Sequence, residues 1–423
     1  MTKPTARGKA VALLDAVLGE GRLMSDLLAG GTLDGLAPAD RARAQRLALD
    51  TLRGLDRADR LLSRHLRKTP PLHVRNVLRL GTVEMCMGGD RHGVVNDMVA
   101  LVGGHRRYGH LKGLVNAVLR KIADGGGASW NDLRIPRLPG WLRAPLVAAW
   151  GAGAVAAMEK AHFAGGPLDL TARDDPTALA QDLDAVLLLP TGTVRLHEAG
   201  QISALPGYAQ GRWWVQDAAA ALPAKLLAPQ PGEDVLDLCA APGGKTLQLA
   251  AAGARVTALD LSDRRMDRLR DNLTRTGLDA TLVVGDALTH AGGPHDAVLL
   301  DAPCSATGTI RRHPDLPHAR DGSEINRLID LQARMIDHAL TLLAPGARLV
   351  FCTCSLLPDE GECQIEAALA RHPGLTVDRG ALDKPWVEPS WITNEGGLRL
   401  RPDYWAEKGG MDGFYVAVLR RGA

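Results

Sequence analysis

The chain has 423 residues, enough for two or three domains, and its 46% hydrophobic content is that of an ordinary globular protein. No uninterrupted apolar run reaches the ~18 residues that cross a bilayer, and six cysteines in this length make no disulfide framework, which argues against membrane-spanning and disulfide-scaffold classes. The net charge of +2 hides an asymmetry: residues 1–122 carry 21 Lys and Arg against 11 Asp and Glu, and the remainder carries 29 against 37. The basic part favours a polyanionic partner, although arginine-rich helix faces are also often no more than solvated faces. Aromatic residues make up only 4%, which speaks against a large base-stacking platform. The N-terminus leads into an amphipathic stretch and not into a signal-peptide apolar segment, so the expected compartment is the reducing cytoplasm.

Up to residue 122 the apolar spacing is helical. Ala10, Leu13, Leu14, Val17 and Leu18 recur on one face, Asp40 is the expected N-cap of a helix through Leu47, Leu49 and Leu52, and Leu61, Leu62 and Leu66 continue the set. Pro70 and Pro71 break the chain, and later helices carry Val74, Leu78, Leu80, Met98 and Leu101, then Leu114, Val115, Val118 and Leu119. This predicts an all-helical domain over 1–125. Gly125, Gly126 and Gly127 predict the boundary, because three glycines carry high chain entropy. From 126 to 223 the pattern is mixed: a helix over 141–162, strands over 168–171 and 185–189 with a helix between them, then Trp213-Trp214-Val215 leading into an alanine-rich helix that ends near Leu227. This predicts a linker and a small α+β subdomain. From 224 to 423 short apolar strands (235–238, 255–260, 281–285, 296–300, 348–351) alternate with helices. That alternation predicts an α/β domain with a doubly wound parallel sheet, closed by a hairpin of 398–401 and 414–418.

The chemistry-bearing residues sit at the strand ends of this last domain. Cys239, Ala240, Ala241, Pro242, Gly243, Gly244 and Lys245 form a tight turn that opens a helix, so a ligand can approach backbone and free N–H groups. The spacing is neither G-x-G-x-x-G nor a phosphate loop. Asp260 ends the second strand, where a carboxylate reaches ribose hydroxyls, and Asp286 ends the third, where one accepts from an adenine amino group. Helix capping is the alternative for either acid alone. Together they point to a ligand with an adenosine and no pyrophosphate. Asp301 and Cys304 follow the fourth strand and Cys354 the fifth, and each cysteine is followed by serine. A single cysteine there is more often packing, but two of them point to thiolate chemistry. Cys352, Cys354 and Cys363 lack a zinc spacing, so no metal is expected.

Asp237-Leu-Cys-Ala-Ala-Pro-Gly-Gly-Lys245-Thr, Asp301-Ala-Pro-Cys304-Ser-Ala-Thr-Gly and Thr353-Cys354-Ser355 resemble, in order, the three signature motifs of the RNA cytosine-5 methyltransferases of the NOP/Sun family. The continuation from Ile310 through Arg311, Arg312 and His313 to Asp315 resembles the bacterial RsmB/Sun branch, which acts on 16S ribosomal RNA. The basic helical part, notably His92-Gly-Val-Val-Asn96 and Leu114-Val-Asn-Ala-Val-Leu-Arg120, resembles the NusB-like RNA-binding domain of that branch. The resemblance covers most of the chain and is weakest over 125–211. It implies a Rossmann-like methyltransferase domain that binds S-adenosylmethionine at Cys239 to Lys245, Asp260, Asp286 and Asp301. It implies that Cys354 attacks C6 of cytosine and that Cys304 assists release, with Asp301 on the cytosine N3 edge and Arg311, Arg312 and His313 on phosphate. The implied partner is RNA, specifically 16S rRNA, and neither DNA nor a membrane. The same chemistry on tRNA or another RNA site, and a non-catalytic RNA-binding assembly factor, are the alternatives.

Overall fold

The structure is a computed structural model that describes residues 4–183, 186–197 and 200–422, apart from the side chains at 126–128 and 186. The chain forms two compact units: Met1–Gly165 with Ile310–Asp321, and Gly166–Thr309 with Gly322–Ala423.

The first unit is helical, with helices at Ala6–Glu20, Met24–Ala29, Pro38–Arg53, Leu55–Ser63, Leu72–Cys86, Arg91–Gly103, Lys112–Asp132 and Gly140–Ala164. Local chemistry sets their ends. Thr5 Oγ1 accepts from Gly8 N at 3.1 Å, and the Asp90 carboxylate accepts from the backbone N–H groups of His92 and Gly93. Gly21 ends the first helix at φ 66°, a left-handed conformation that favours glycine. Leu13, Leu14, Leu52, Leu61, Leu78 and Leu119, predicted from helical spacing, lie in one core. Asp40 is not the N-cap. It sits in the first turn, because Pro38 starts the helix earlier, with Ala37 at the cap.

The glycine triplet does not break the helix that contains it. The helix Lys112–Asp132 runs through it, and the unit continues to Gly165. Three glycines in place of alanines cost a helix about 3 kcal/mol. Beyond them Trp130 is buried in the core, and its carbonyl accepts from Arg57 Nη1 at 3.1 Å. An indole that buries about 150–250 Å² at ~25 cal/mol/Å² contributes about 4–6 kcal/mol, so packing outweighs propensity. The helix Gly140–Ala164 is by length and composition apolar enough to cross a membrane. It is kinked at Gly151 (φ 80°, ψ 156°), and it buries Leu142, Leu146, Val155 and Met158.

Residues 310–321 belong to this helical unit. Met24 N donates to Asp315 Oδ2 at 2.8 Å, and Arg53 Nη2 donates to the Arg311 carbonyl at 3.0 Å. Arg311 is fully buried, so it does not offer its guanidinium to a phosphate as its motif led us to expect; Arg312 is half-buried and His313 exposed.

The second unit holds two sheets. Strands β1 (Leu168–Ala172), β2 (Val186–Leu188), β3 (Thr193–Leu196) and β4 (Trp213–Val215) form an antiparallel sheet in the order β2-β3-β1-β4. The helix Pro176–Asp182 covers it through Leu179, which packs with Leu170, Val194 and Trp213. Asp184 and Ala185, expected at the end of that helix and the start of the second strand, lie outside the described residues. The alanine-rich stretch before Leu222 is turn, and the helix there is only Leu222–Leu227.

The large sheet contains β5 (Asp234–Leu238), β6 (Arg255–Asp260), β7 (Thr281–Val284), β8 (His295–Asp301), β9 (Leu343–Thr353), β10 (Leu375–Val377), β11 (Leu398–Leu400) and β12 (Phe414–Arg421). Its order is β10-β12-β9-β8-β5-β6-β7, with β11 also on β12. The five strands from β9 to β7 are parallel, as the alternating pattern predicts, and β12 is antiparallel to β9. The expected closing hairpin is β11 with β12, in the register Leu398↔Val416 and Leu400↔Phe414. The chain runs from β5 outward through β6 to β7, then returns to the other side of β5 as β8. That reversal makes the β5–β8 carboxyl ends the topological switch point, where open α/β sheets bind ligands.

Candidate active site

The first wall of the site is the turn after β5. Gly243 takes φ 103°, and a Cβ placed there would lie 2.2 Å from Leu269 Cδ1. Only glycine fits, and the helix Gly244–Ala251 starts directly after it. Gly243→Ala is expected to cost about 2–5 kcal/mol, the sum of left-handed backbone strain and overpacking, read as a fall in Tm.

Asp237, at the end of β5, is fully buried. Its Oδ2 accepts from Thr246 Oγ1 at 2.6 Å, while its Oδ1 has no partner among the described residues. Burial pushes its pKa up to about 7, against the opposing effects of the Thr246 hydrogen bond and Lys245. Folding therefore takes up a proton between the ordinary value of 3.8 and about 7, and stability falls as pH rises through that window. Asp237→Asn keeps the shape and removes the titration, so its Tm should differ less than that of the parent between about pH 5 and about pH 8.

Asp260, at the end of β6, is buried. Its Oδ2 accepts from Ala241 N at 3.1 Å and its Oδ1 from Ser262 N at 3.0 Å, which ties the glycine turn to the next strand. It is not the helix cap: Ser262 caps Asp263–Thr276 by accepting from Arg265 N. Asp286 is exposed just past β7, and its Oδ1 accepts from Leu288 N at 2.9 Å in a local turn. Leu261, next to Asp260, is 73% exposed, an apolar surface directly at this strand end.

Lys245 is not solvated. It is buried, and its Nζ donates to Asp301 Oδ2 at 2.7 Å. Burial is the largest single influence and opposes its charge, but Asp301, Cys352 and Asp237 together outweigh it, so its pKa is raised. Asp301 Oδ1 also accepts from Cys352 Sγ at 3.4 Å. Cys352 is fully buried, and its thiol is pushed well up by burial and then by Asp301. Cys239 is likewise pushed up, by burial and then by Asp301, Asp260 and Asp237. Three carboxylates thus converge on the β5 end, with Lys245 and Arg265 as counter-charges.

The second wall joins the loops after β8 and β9. Cys304 Sγ and Cys354 Sγ are 3.4 Å apart, and both residues are half-buried. The Cys304 thiol is pushed well above its ordinary value, first by its contact with Cys354, then by burial and by Glu360. Ala302 N donates to the Cys352 carbonyl at 3.0 Å and Gly308 N to the Cys354 carbonyl at 2.9 Å, so backbone bonds hold the two loops side by side. Asp237, Cys239, Lys245, Asp260, Asp301, Cys304 and Cys354 therefore surround the ends of β5, β6, β8 and β9, whereas Asp286 lies on the β7 loop. Glu360, Gln332 and Arg399 were not singled out from sequence. Glu360 is one of three acids in a Pro-Asp-Glu-Gly-Glu turn, and nothing in that spacing separates it from a solvated surface loop.

The donor set suits S-adenosylmethionine. The Asp260 and Asp301 carboxylates complement a sulfonium, the Asp237 oxygen that has no partner among the described residues is an available acceptor, and Asp260 retains acceptor capacity for hydroxyls because a carboxylate offers about four lone-pair sites.

Residues 224–420 match the family described as 16S rRNA methyltransferase RsmB/F, and residues 4–124 match the NusB family. The chain is 40% identical over 334 residues to the ribosomal RNA small subunit methyltransferase B of Pseudomonas syringae pv. tomato, covering 73% of this chain and 72% of that protein. Among solved structures, a methyltransferase homolog protein from Pyrococcus horikoshii is similar with a TM-score of 0.56 at 28% identity, over 66% of this chain and 94% of its own. The crystal structure of PH0851 is similar in fold, with a TM-score of 0.75 at 23% identity over 100% of both chains. With its NusB domain ahead of a Rossmann-like core, the chain belongs to the S-adenosylmethionine-dependent 16S rRNA methyltransferases of the RsmB/F family.

Proposed function

We propose that this chain methylates C5 of a cytosine in 16S rRNA through a covalent adduct between Cys354 and C6. The observation that carries the reading is the pair of thiols 3.4 Å apart beside the Lys245–Asp301 ion pair. C5 of cytosine is a poor nucleophile, and covalent addition at C6 divides one difficult step into easier ones. Cys239 to Lys245, Asp260, Asp286 and Asp301 would hold S-adenosylmethionine, which supplies the methyl group when bound.

The Cys354 sulfur forms a bond to C6, and the C5–C6 π pair moves to C5, which takes the methyl group. Asp301, held by the Lys245 ammonium at 2.7 Å from its Oδ2, would lie on the N3 edge and orient the base for attack. Cys304 then removes the proton from C5. The electron pair of that C–H bond restores the C5–C6 double bond, and the C6–S bond breaks to return Cys354. The first cause of the raised Cys304 pKa is its contact with Cys354. Engaging Cys354 in a C–S bond removes that cause, so Cys304 becomes easier to ionise when its turn as base comes.

The NusB-family residues 4–124 would supply RNA affinity through their surplus of basic residues. The target base must leave its stack to reach the thiols, as base-modifying enzymes require. With 16S rRNA as substrate the compartment is the cytoplasm. Bisulfite sequencing of ribosomal RNA from a deletion strain tests the reading. One 16S cytosine that loses protection, and regains it on complementation, is the expected result. Loss confined to a tRNA redirects the substrate, and no lost site in any RNA supports a non-catalytic assembly factor instead.

A further inference from the structure

Glu360 is fully buried, and its carboxylate bonds Ser305 and Ser355 of the two thiol loops and Gln332 of the helix Ile325–Thr341. Its Oε1 accepts from Ser305 N at 2.9 Å and from Gln332 Nε2 at 3.0 Å. Its Oε2 accepts from Ser355 Oγ at 2.6 Å and from Ser305 Oγ. Gln332 Nε2 also donates to the Pro303 carbonyl at 2.8 Å. One carboxylate therefore ties together the residues that follow Cys304 and Cys354. A buried carboxylate with this many donors is a fixed part of its surroundings.

The two loops differ in their other support. Cys354 follows β9 directly, where Thr353 is in register with Tyr415 of β12, and the Ser355 carbonyl accepts from Arg399 Nη1. Cys304 lies three residues beyond the end of β8, on a loop tied to the β9 end by backbone at Ala302 and Gly308 and held next to the thiol at Pro303 through Gln332 and at Ser305 through Glu360. We propose that Glu360 is a positioning residue that holds the Cys304 loop against an already anchored Cys354. The proposal rests on the reading of these thiols as the reacting groups. Loss of the Glu360 carboxylate should spare attack by Cys354 and impair release by Cys304.

The spacing of the thiols can be tested without RNA, on the full chain. Phenylarsine oxide chelates two neighbouring thiols: two As–S bonds form, and the oxide oxygen leaves as water with both thiol protons. The parent should bind one equivalent that a dithiol removes and a monothiol does not, and Cys304→Ala should lose this chelate. Folded Glu360→Ala should bind at least about tenfold more weakly, and Glu360→Gln, which keeps the shape and an acceptor oxygen, within about threefold of the parent. With methyl donor and undermethylated 16S rRNA, Glu360→Ala should accumulate an RNA adduct on a denaturing gel, and Glu360→Gln should not. Unchanged arsenical affinity in Glu360→Ala, or lost turnover without adduct where Cys304→Ala gives one, overturns the proposal. If Glu360→Ala does not fold, Ser305→Ala decides: weaker chelation supports the clamp and unchanged chelation overturns it. Weakened chelation with no RNA adduct in any variant, Cys304→Ala included, would uphold the positioning role and remove the covalent reading of the reaction.

Discussion

Cys354→Ala is expected to lower methyl transfer by on the order of 10⁴-fold or more and to leave no covalent RNA complex, because the nucleophile is gone. Cys304→Ala is expected to lower turnover comparably yet to accumulate the complex, because attack and methyl transfer proceed while release does not. The two substitutions are sterically alike and remove one sulfur each from half-buried positions 3.4 Å apart. A general loss of packing would therefore move both variants in the same direction. Opposite adduct behaviour is the informative result, read as labelled methyl incorporation and as a slow band on a denaturing gel. An adduct with Cys354→Ala and none with Cys304→Ala would exchange the two roles. No adduct with either would remove covalent catalysis from the proposal. The double variant should behave like Cys354→Ala, since no adduct forms for Cys304 to release.

The parts of this site legible in sequence are those that strand ends dictate. Each parallel strand is a short apolar run, and the residue past it falls at the carboxyl edge of the sheet, so Asp260, Asp301 and Cys354 could be placed from their positions alone. Gly277 marks the end of the helix Asp263–Thr276 in the same way, and the structure adds Ser262 as its N-cap. What was not legible depends on partners distant in sequence. Lys245 reads equally as a residue that orients a ligand and as a solvated helix-start lysine, and only the fold brings Asp301, 56 residues later, to its ammonium. Glu360 reads as a surface acid until Ser305, 55 residues earlier, meets it. The glycine triplet misled for a related reason: local propensity marks a break, and a tryptophan buried a few residues further on restores the helix. Arg311 misled through its charge, which suggests phosphate when read alone and is buried in the helical unit when folded.

The largest expected effect on stability lies away from the chemistry, at Arg195 and Asp169. Both are fully buried in the small antiparallel sheet, on directly paired residues of β3 and β1. Arg195 Nε and Nη2 donate to the two Asp169 oxygens at 2.6 and 2.7 Å, and its Nη1 donates to the carbonyls of Lys408 and Gly410, each at 2.7 Å. Asp169 Oδ2 also accepts from Ala218 N at 3.0 Å. The pair thus fastens β1 and β3 both to the turn before the Leu222–Leu227 helix and to the loop that leads into β12. Removing either partner leaves the other charge buried without its counter-charge, which typically costs about 3–5 kcal/mol. For a unit of this size Arg195→Ala should lower Tm by about 6–20 °C, and Asp169→Ala by a similar amount. The double variant Arg195→Met with Asp169→Leu should recover much of the loss, because it buries no unpaired charge. A calorimetric cycle over the parent, Arg195→Met, Asp169→Leu and their double variant measures the coupling directly. Single variants within about 1 kcal/mol of the parent would mean that water reaches this pair and that the small sheet is held by its apolar face alone.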